Sequence, residues 1–201
     1  SEFTQYLNDA QYRLQSLIVQ QHPDVFSDEA EITIDGSEKY DLATAAPLIF
    51  INNKVLNTEY SSTGNADDYY VLEETSLKNR NPNSEGHPSF YIRSSGKIIP
   101  VARPSSGKLR VTYIKRIKEL VSAITDATKQ TLTPELPEIA ERYLLAYVEW
   151  KLLKRDSSVD SAEAMQELAT MEAEIVNSYK HINDDVQTIP EINQWDDWSL
   201  D

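Results

Sequence analysis

Leu7, Ala10, Leu14, Leu17 and Ile18 recur at the spacing of one helical face. The pattern predicts a helix from Thr4, placed to cap it, to Gln21, where His22-Pro23 interrupts the period. Between Ala30 and Ile114 the period shortens. Seven runs rich in β-branched and aromatic residues, AEITI, EKYDL, LIFIN, YYVLEE, SFYIR, KIIPVA and KLRVTYI, predict strands. They are separated by turn-forming stretches: DG at 35, STGNADD at 62–68, NRNPNSEG at 79–86, SSG at 94 and PSSG at 104. Pro100 cannot donate to a ladder, so KIIPVA is expected at a sheet edge or a bulge.

After Thr133 the helical period returns. Ile139, Ala140, Tyr143, Leu144, Tyr147, Val148 and Trp150 mark a second helix to about Arg155, with Pro134 and Pro137 bracketing its entrance. Asp160 and Glu163 have the spacing of a capping pair, with Val159 placed to staple it. Ala164, Leu168, Met171, Ile175 and Ile182 then form the seam of a third helix. The last nineteen residues sustain no period. Three amphipathic helices cannot each bury a face alone, so the expected fold is α+β: a helical bundle of one N-terminal and two C-terminal helices, with a small β-sandwich or open β-barrel lobe inserted. The corresponding divisions are 1–29 for the first helix, 30–118 for the lobe, 119–183 for the later helices and 184–201 for an extended tail.

Composition narrows the function. With 201 residues and 40% hydrophobic content the chain can fill one sizeable core, and no run approaches the ~20 apolar residues that cross a bilayer. The absence of cysteine removes disulfides, thiolate metal sites and cysteine nucleophiles together, and suits a reducing cytoplasm. His22, His87 and His181 lie on unrelated segments and read as exposed polar residues. Carboxylate pairs at Asp67-Asp68, Glu73-Glu74 and Asp184-Asp185 read as solvated faces, and no phosphate loop, nucleophile elbow or HExxH occurs. No catalytic residue, metal or cofactor is expected.

Thirty-three acidic against nineteen basic residues give a formal net charge of -14, yet eight of the nineteen cations fall between residues 90 and 120. In KLRVTYIKRIK the alternation of Leu109, Val111 and Tyr113 with Lys108, Arg110 and Thr112 puts cations on the solvent side of a half-buried strand without any partner. The same stripe, with Arg103, Lys115 and Arg116 and the rings of Tyr91 and Tyr113, also suits nucleic acid or an acidic protein surface. In the tail, Trp195 and Trp198 flank Asp196-Asp197 beyond Ile189-Pro190. These are anchors that either fold back on the bundle or dock in a neighbour.

The order of elements, together with EKYDLATAAPLIFINNKVLN, HPSFYIRSSGKIIPVARPSSGKLRVTYIKR and TLTPELPEIAERYLLAYVEWKLLKR, resembles the head-to-tail connector, or adaptor, proteins of tailed bacteriophages. The likeness covers about residues 30–155, and departs at ATAAP, 43–47, where the family's proline follows Asp-Leu more closely. It implies a structural virion protein at the head-to-tail junction, made in the host cytoplasm. About twelve copies would form a ring that joins the portal protein to further tail or ring proteins. DNA would pass through the ring without specific binding, no membrane would be involved, and no catalysis. The tail residues Ile192, Trp195, Asp196, Asp197 and Trp198 become candidate portal anchors. The basic positions Arg103, Lys108, Arg110, Lys115 and Arg116 become a candidate interface with an acidic protein neighbour. Two other readings stand beside it: a protein- or glycan-binding module using the loops at 61–68 and 79–88, and a hydrolase built on a carboxylate pair.

Overall fold

The computed structural model describes residues 2–49, 55–79, 84–121, 129, 130, 136 and 139–179. Helix α1 spans Glu2–Gln21, so Thr4 lies inside the first turn and does not cap it. The predicted apolar stripe is its buried face: Leu7, Ala10, Leu14 and Ile18 point into the core, with Leu17 at the margin. After a 3-10 turn at Pro23–Phe26, strand β1 (Ser27–Thr33) opens the lobe. His22, expected on the surface, is buried beside the ring of Tyr179, 6.4 Å between centroids. The chain must turn there, and the turn lies between the first and last helices.

The lobe is built from two four-stranded sheets. One has the order β1-β8-β3-β4, all antiparallel, where β3 is Val55–Ser61, β4 Tyr70–Val71 and β8 Lys108–Ile114. The other has the order β2-β7-β6-β5, where β2 is Tyr40–Asp41, β5 Glu73–Glu74, β6 Phe90–Ser94 and β7 Lys97–Val101. Tyr60, Leu109 and Val111 from the first sheet share one core with Tyr40, Tyr91 and Ile98 from the second, and Ile34, Leu42 and Leu72 complete it. Among the described residues this is a sandwich with no closed barrel, and burying each such aliphatic side chain contributes about 1.5–3 kcal/mol. Gly107 closes its tip. At φ 115° it leaves room that a Cβ would lose, only 2.4 Å from the Ser61 carbonyl oxygen.

Several predicted strands shift. EKYDL is a strand only at Tyr40–Asp41. It then becomes a helical turn, α2 (Leu42–Ala45), because the Asp41 carboxylate accepts the Ala43 N–H at 2.9 Å. In LIFIN, Ile49 makes a single bridge to Lys115, and residues 50–52 lie outside the described residues. The central strand β3, VLNTEYS, was not among the predicted runs. Pro100 sits in β7, which has neighbours on both sides, but β2 pairs only with Lys97 and Ile98. At Pro100 the strand therefore has β6 alone, where a missing N–H is tolerated.

The chain returns to the bundle through β9 (Glu119–Leu120), paired in parallel with β10 (Lys129–Gln130). Helices α3 (Ile139–Arg155) and α4 (Ser161–Ser178) follow. Tyr143, Leu144, Tyr147, Val148 and Trp150 of α3 and Leu168, Ile175 and Val176 of α4 complete the core begun by α1. The expected capping box at the start of α4 does not form. Asp160 already has helical angles (φ -68°, ψ -10°), its carboxylate makes no cap bond and accepts instead from Ser158 Oγ, and Val159 is 93% exposed rather than stapled.

Candidate interaction surfaces

Strand β8 places Lys108, Arg110 and Thr112 on the outer face of its sheet, as the alternation required. Its two neighbours are acidic. In register, Arg110 lies opposite Glu31 of β1 on one side and Glu59 of β3 on the other. Arg110 Nη1 is 3.5 Å from Glu59 Oε2, and its guanidinium stacks 3.8 Å above the Tyr69 ring. Lys108 Nζ donates to Glu31 Oε2 at 2.8 Å, and Tyr69 donates its hydroxyl to Glu31 Oε1 at 3.0 Å. The hydrogen bonds from Lys108, then Tyr69, hold the Glu31 carboxyl below its ordinary range, and the same contact with Glu31 raises Lys108. Lys115 reaches Asp28 at 3.4 Å. Three of the five basic positions thus meet a carboxylate of their own chain: Lys108 and Arg110 on the outer face, and Lys115, just past β8, on the opposite alternation with Asp28, which is in register with Tyr113.

The other two point elsewhere. Arg103, at the far tip, donates to the Gly36 carbonyl. Arg116, at the near end, turns toward α1 and lies over the Tyr12 ring, 5.8 Å from its centroid.

That near end holds residues which the sequence reading passed over. Asn8, Gln11 and Gln15 are buried on α1, beside the apolar stripe. Segment 115–120, leaving β8, runs antiparallel to the helix and is bonded by these amides. Gln15 Nε2 donates to the Lys115 carbonyl at 2.6 Å, while its Oε1 accepts the Ile117 N–H at 3.2 Å. Gln11 Nε2 donates to the Lys118 carbonyl at 2.9 Å. Asn8 closes the ladder, donating to the Leu120 carbonyl at 3.1 Å and accepting the Leu120 N–H at 2.8 Å. Seven residues of helix rise about 10 Å, close to what three or four residues of extended chain cover, so the two repeats stay in step. Here α1 acts as a neighbouring strand would, and joins the lobe's exit to the bundle. The signal was present as amides at i, i+3 and i+7 on the flank of an apolar stripe.

At the opposite end of the lobe, Tyr60 and Ser62 and the loop 85–87 approach 35–36 and 103–106 around an open cleft of about 780 Å³. Tyr60, His87, Glu85 and Arg103 are among its lining residues. Among the described residues no group of three His, Asp or Glu side chains is arranged to hold a metal.

The family model described as SU10 adaptor protein matches residues 1–190. The chain belongs to that family. The match takes in the first helix, both sheets, the later helices and the start of the tail, residues 184–190, more than the 30–155 that the local motifs covered, and ends before the five tail positions 192–198. No curated protein matches the adaptor. In this adaptor the five tail positions Ile192, Trp195, Asp196, Asp197 and Trp198 lie outside the described residues, as does His181. The family is one of phage structural adaptors, and no helix among the described residues is long and apolar enough to cross a membrane.

Proposed function

We propose that the adaptor assembles as a ring of about twelve copies between the portal and the tail and surrounds the passage through which DNA leaves the head. The observation that carries this reading is the family match over residues 1–190, with a bundle and an inserted lobe beneath it. Charge supports it. A subunit at -14, whose β8 cations Lys108 and Arg110 already face Glu31 and Glu59 of the same chain, is poorly suited to hold a passing duplex by that strand. An acidic wall repels DNA and lets it slide.

In this reading Ile192, Trp195, Asp196, Asp197 and Trp198 anchor the ring on the portal. Lys108, Arg110, Lys115, Arg103 and Arg116 meet an acidic neighbour by sharing their present partners, which sets register more than affinity. No catalytic step is needed. The test is to mix the full chain with its portal and examine the product by electron microscopy and mass photometry: capped portals with a closed ring are expected. A chain that remains monomeric beside the portal overturns the proposal.

The tip cleft favours one second reading, a protein- or glycan-binding module, since Ser62 of one candidate loop and Glu85, Gly86 and His87 of the other line it. Saturable binding of a glycan, lost on changing His87 and Glu85, with no portal capping, would establish it instead.

A further inference from the structure

The three helices do not close evenly. Arg13 on α1 meets Glu172 on α4, and further along Leu17 and Gln20 stand across from Ala173 and Val176, so the two helices run parallel. Between them lie two grooves. One, of about 310 Å³, is floored by Trp150 and Leu168 and edged by Met165 and Ala169; the other, of about 220 Å³, lies between Leu17 and Val176. Both use one face of α4, and the bidentate Arg13–Glu172 pair at 2.7 and 3.1 Å divides them. Met165 is 54% exposed there, in a seam where a fourth segment of a bundle would lie.

From this geometry we infer that the seam between α1 and α4 is the seat of the chain's own C-terminal segment, residues 184–201, in the free subunit. Three observations select this occupant. The first is position and reach. Helix α4 ends at Ser178 with Tyr179 buried against the bundle, at the Asn177 end of the seam. The twenty-two residues that follow span up to about 70 Å when extended, whereas the eighteen-residue α4 is about 27 Å long. A segment tethered so close acts at an effective concentration in the millimolar range.

The second is pattern. Although the tail has neither the helical nor the strand period, Val186, Ile189, Ile192, Trp195 and Trp198 fall at every third position. An extended threefold conformation puts all five on one edge, which suits a long shallow groove. The third is polarity. The rim carries exposed carboxamides, Gln20, Gln21, Gln166 and Asn177, the groups that bond an extended backbone. Asn8, Gln11 and Gln15 already serve segment 115–120 in this way on another side of α1. Residues 182–201 hold acidic side chains and no lysine or arginine, and since Arg13 at the middle of the seam is already paired with Glu172, it is the carboxamide rim and not a free cation that suits the segment. The inference concerns the free subunit and stands whether or not the tail later reaches a portal; if it does, docking must first draw the segment out of this seat.

The test uses the full chain, whose lack of cysteine permits a single nitroxide at Asn193→Cys. In a ¹⁵N-labelled subunit the amides of residues 165–173 are expected to lose most of their intensity, while those of the outer face of β8 keep theirs. Ala169→Glu, an exposed position opposite the acidic tail, is expected to restore them. Uniform signals with no loss on α4 would overturn the inference. So would loss seen only between a labelled and an unlabelled subunit in a mixture, which would make the seam a receptor for a neighbour's tail. Portal capping measured on the same variants separates this result from the ring proposal: capping by a protein whose α4 is unaffected sinks the seat and leaves the ring intact.

Discussion

Two polar surfaces of the adaptor use opposite chemistry. The outer face of β8 is conspicuous in the sequence: it is charged, exposed and paired with carboxylates on both flanks. The α1 face carrying Asn8, Gln11 and Gln15 is inconspicuous, uncharged and buried against a bare backbone segment. Exposed ion pairs exchange water for a partner at little net gain, and salt screens them. Buried amides meet backbone groups that have no water to return to, so losing one leaves an unsatisfied donor or acceptor. The quieter surface therefore has the greater hold on the structure.

The comparison can be broken first at Gln15. Gln15→Leu keeps the helix and the approximate volume but removes the partners of the Lys115 carbonyl and the Ile117 N–H. A loss of about 2–5 kcal/mol in urea unfolding is expected. A loss below 0.5 kcal/mol would mean that water or another group takes over the joint.

A second contrast lies within the bundle. The buried Tyr143 donates its hydroxyl to Glu172 at 2.8 Å, beside the Arg13 pair. Tyr143→Phe should cost about 1.5 kcal/mol, as for a hydrogen bond to a charged group. Burial first, and Glu172 second, raise the Tyr143 hydroxyl far above its usual range. An unfolded tyrosine ionises near pH 10, so the folded state retains a proton that the unfolded state releases. This contribution is complete below about pH 10 and falls as pH rises above it. Alkaline unfolding followed by circular dichroism should show a shallower decline in Tyr143→Phe than in the parent.

On the charged face the effect is smaller. Arg110→Gln removes the contact with Glu59 and the stacking on Tyr69, and is expected to cost about 0.5–1 kcal/mol, shrinking as salt is added. A loss larger than that of Gln15→Leu would reverse the ranking. Smallest of all is Val159→Ala, at a side chain 93% exposed where a staple was expected; a change within about 0.5 kcal/mol should be found by thermal unfolding.

How far these features could be read in the sequence follows the same division. The stripe Leu7, Ala10, Leu14, Ile18 and the β8 alternation were legible because a regular period reports burial directly. Strand β3 was hidden because Thr58 and Ser61 are among its buried positions, so its inward face does not look apolar. The Asp160–Glu163 pattern misled because the backbone had entered the helix before the supposed cap. The amide ladder was hidden for a different reason. Nothing local says that Gln11 and Gln15 face a backbone segment about a hundred residues away rather than water. The basic strand could be placed from its alternation, but its partners Glu31 and Glu59 depend on sheet order, which the sequence does not state.

The joint between bundle and lobe is tested most directly by hydrogen exchange at two amides, Ile117 and Leu120, which donate to the side chains of Gln15 and Asn8. If the amides of α1 hold the lobe's exit as a strand would, both should exchange near the rate of global unfolding, alongside the core amides of β8. Exchange of both at the rate of an exposed loop, with β8 still protected, would contradict the account.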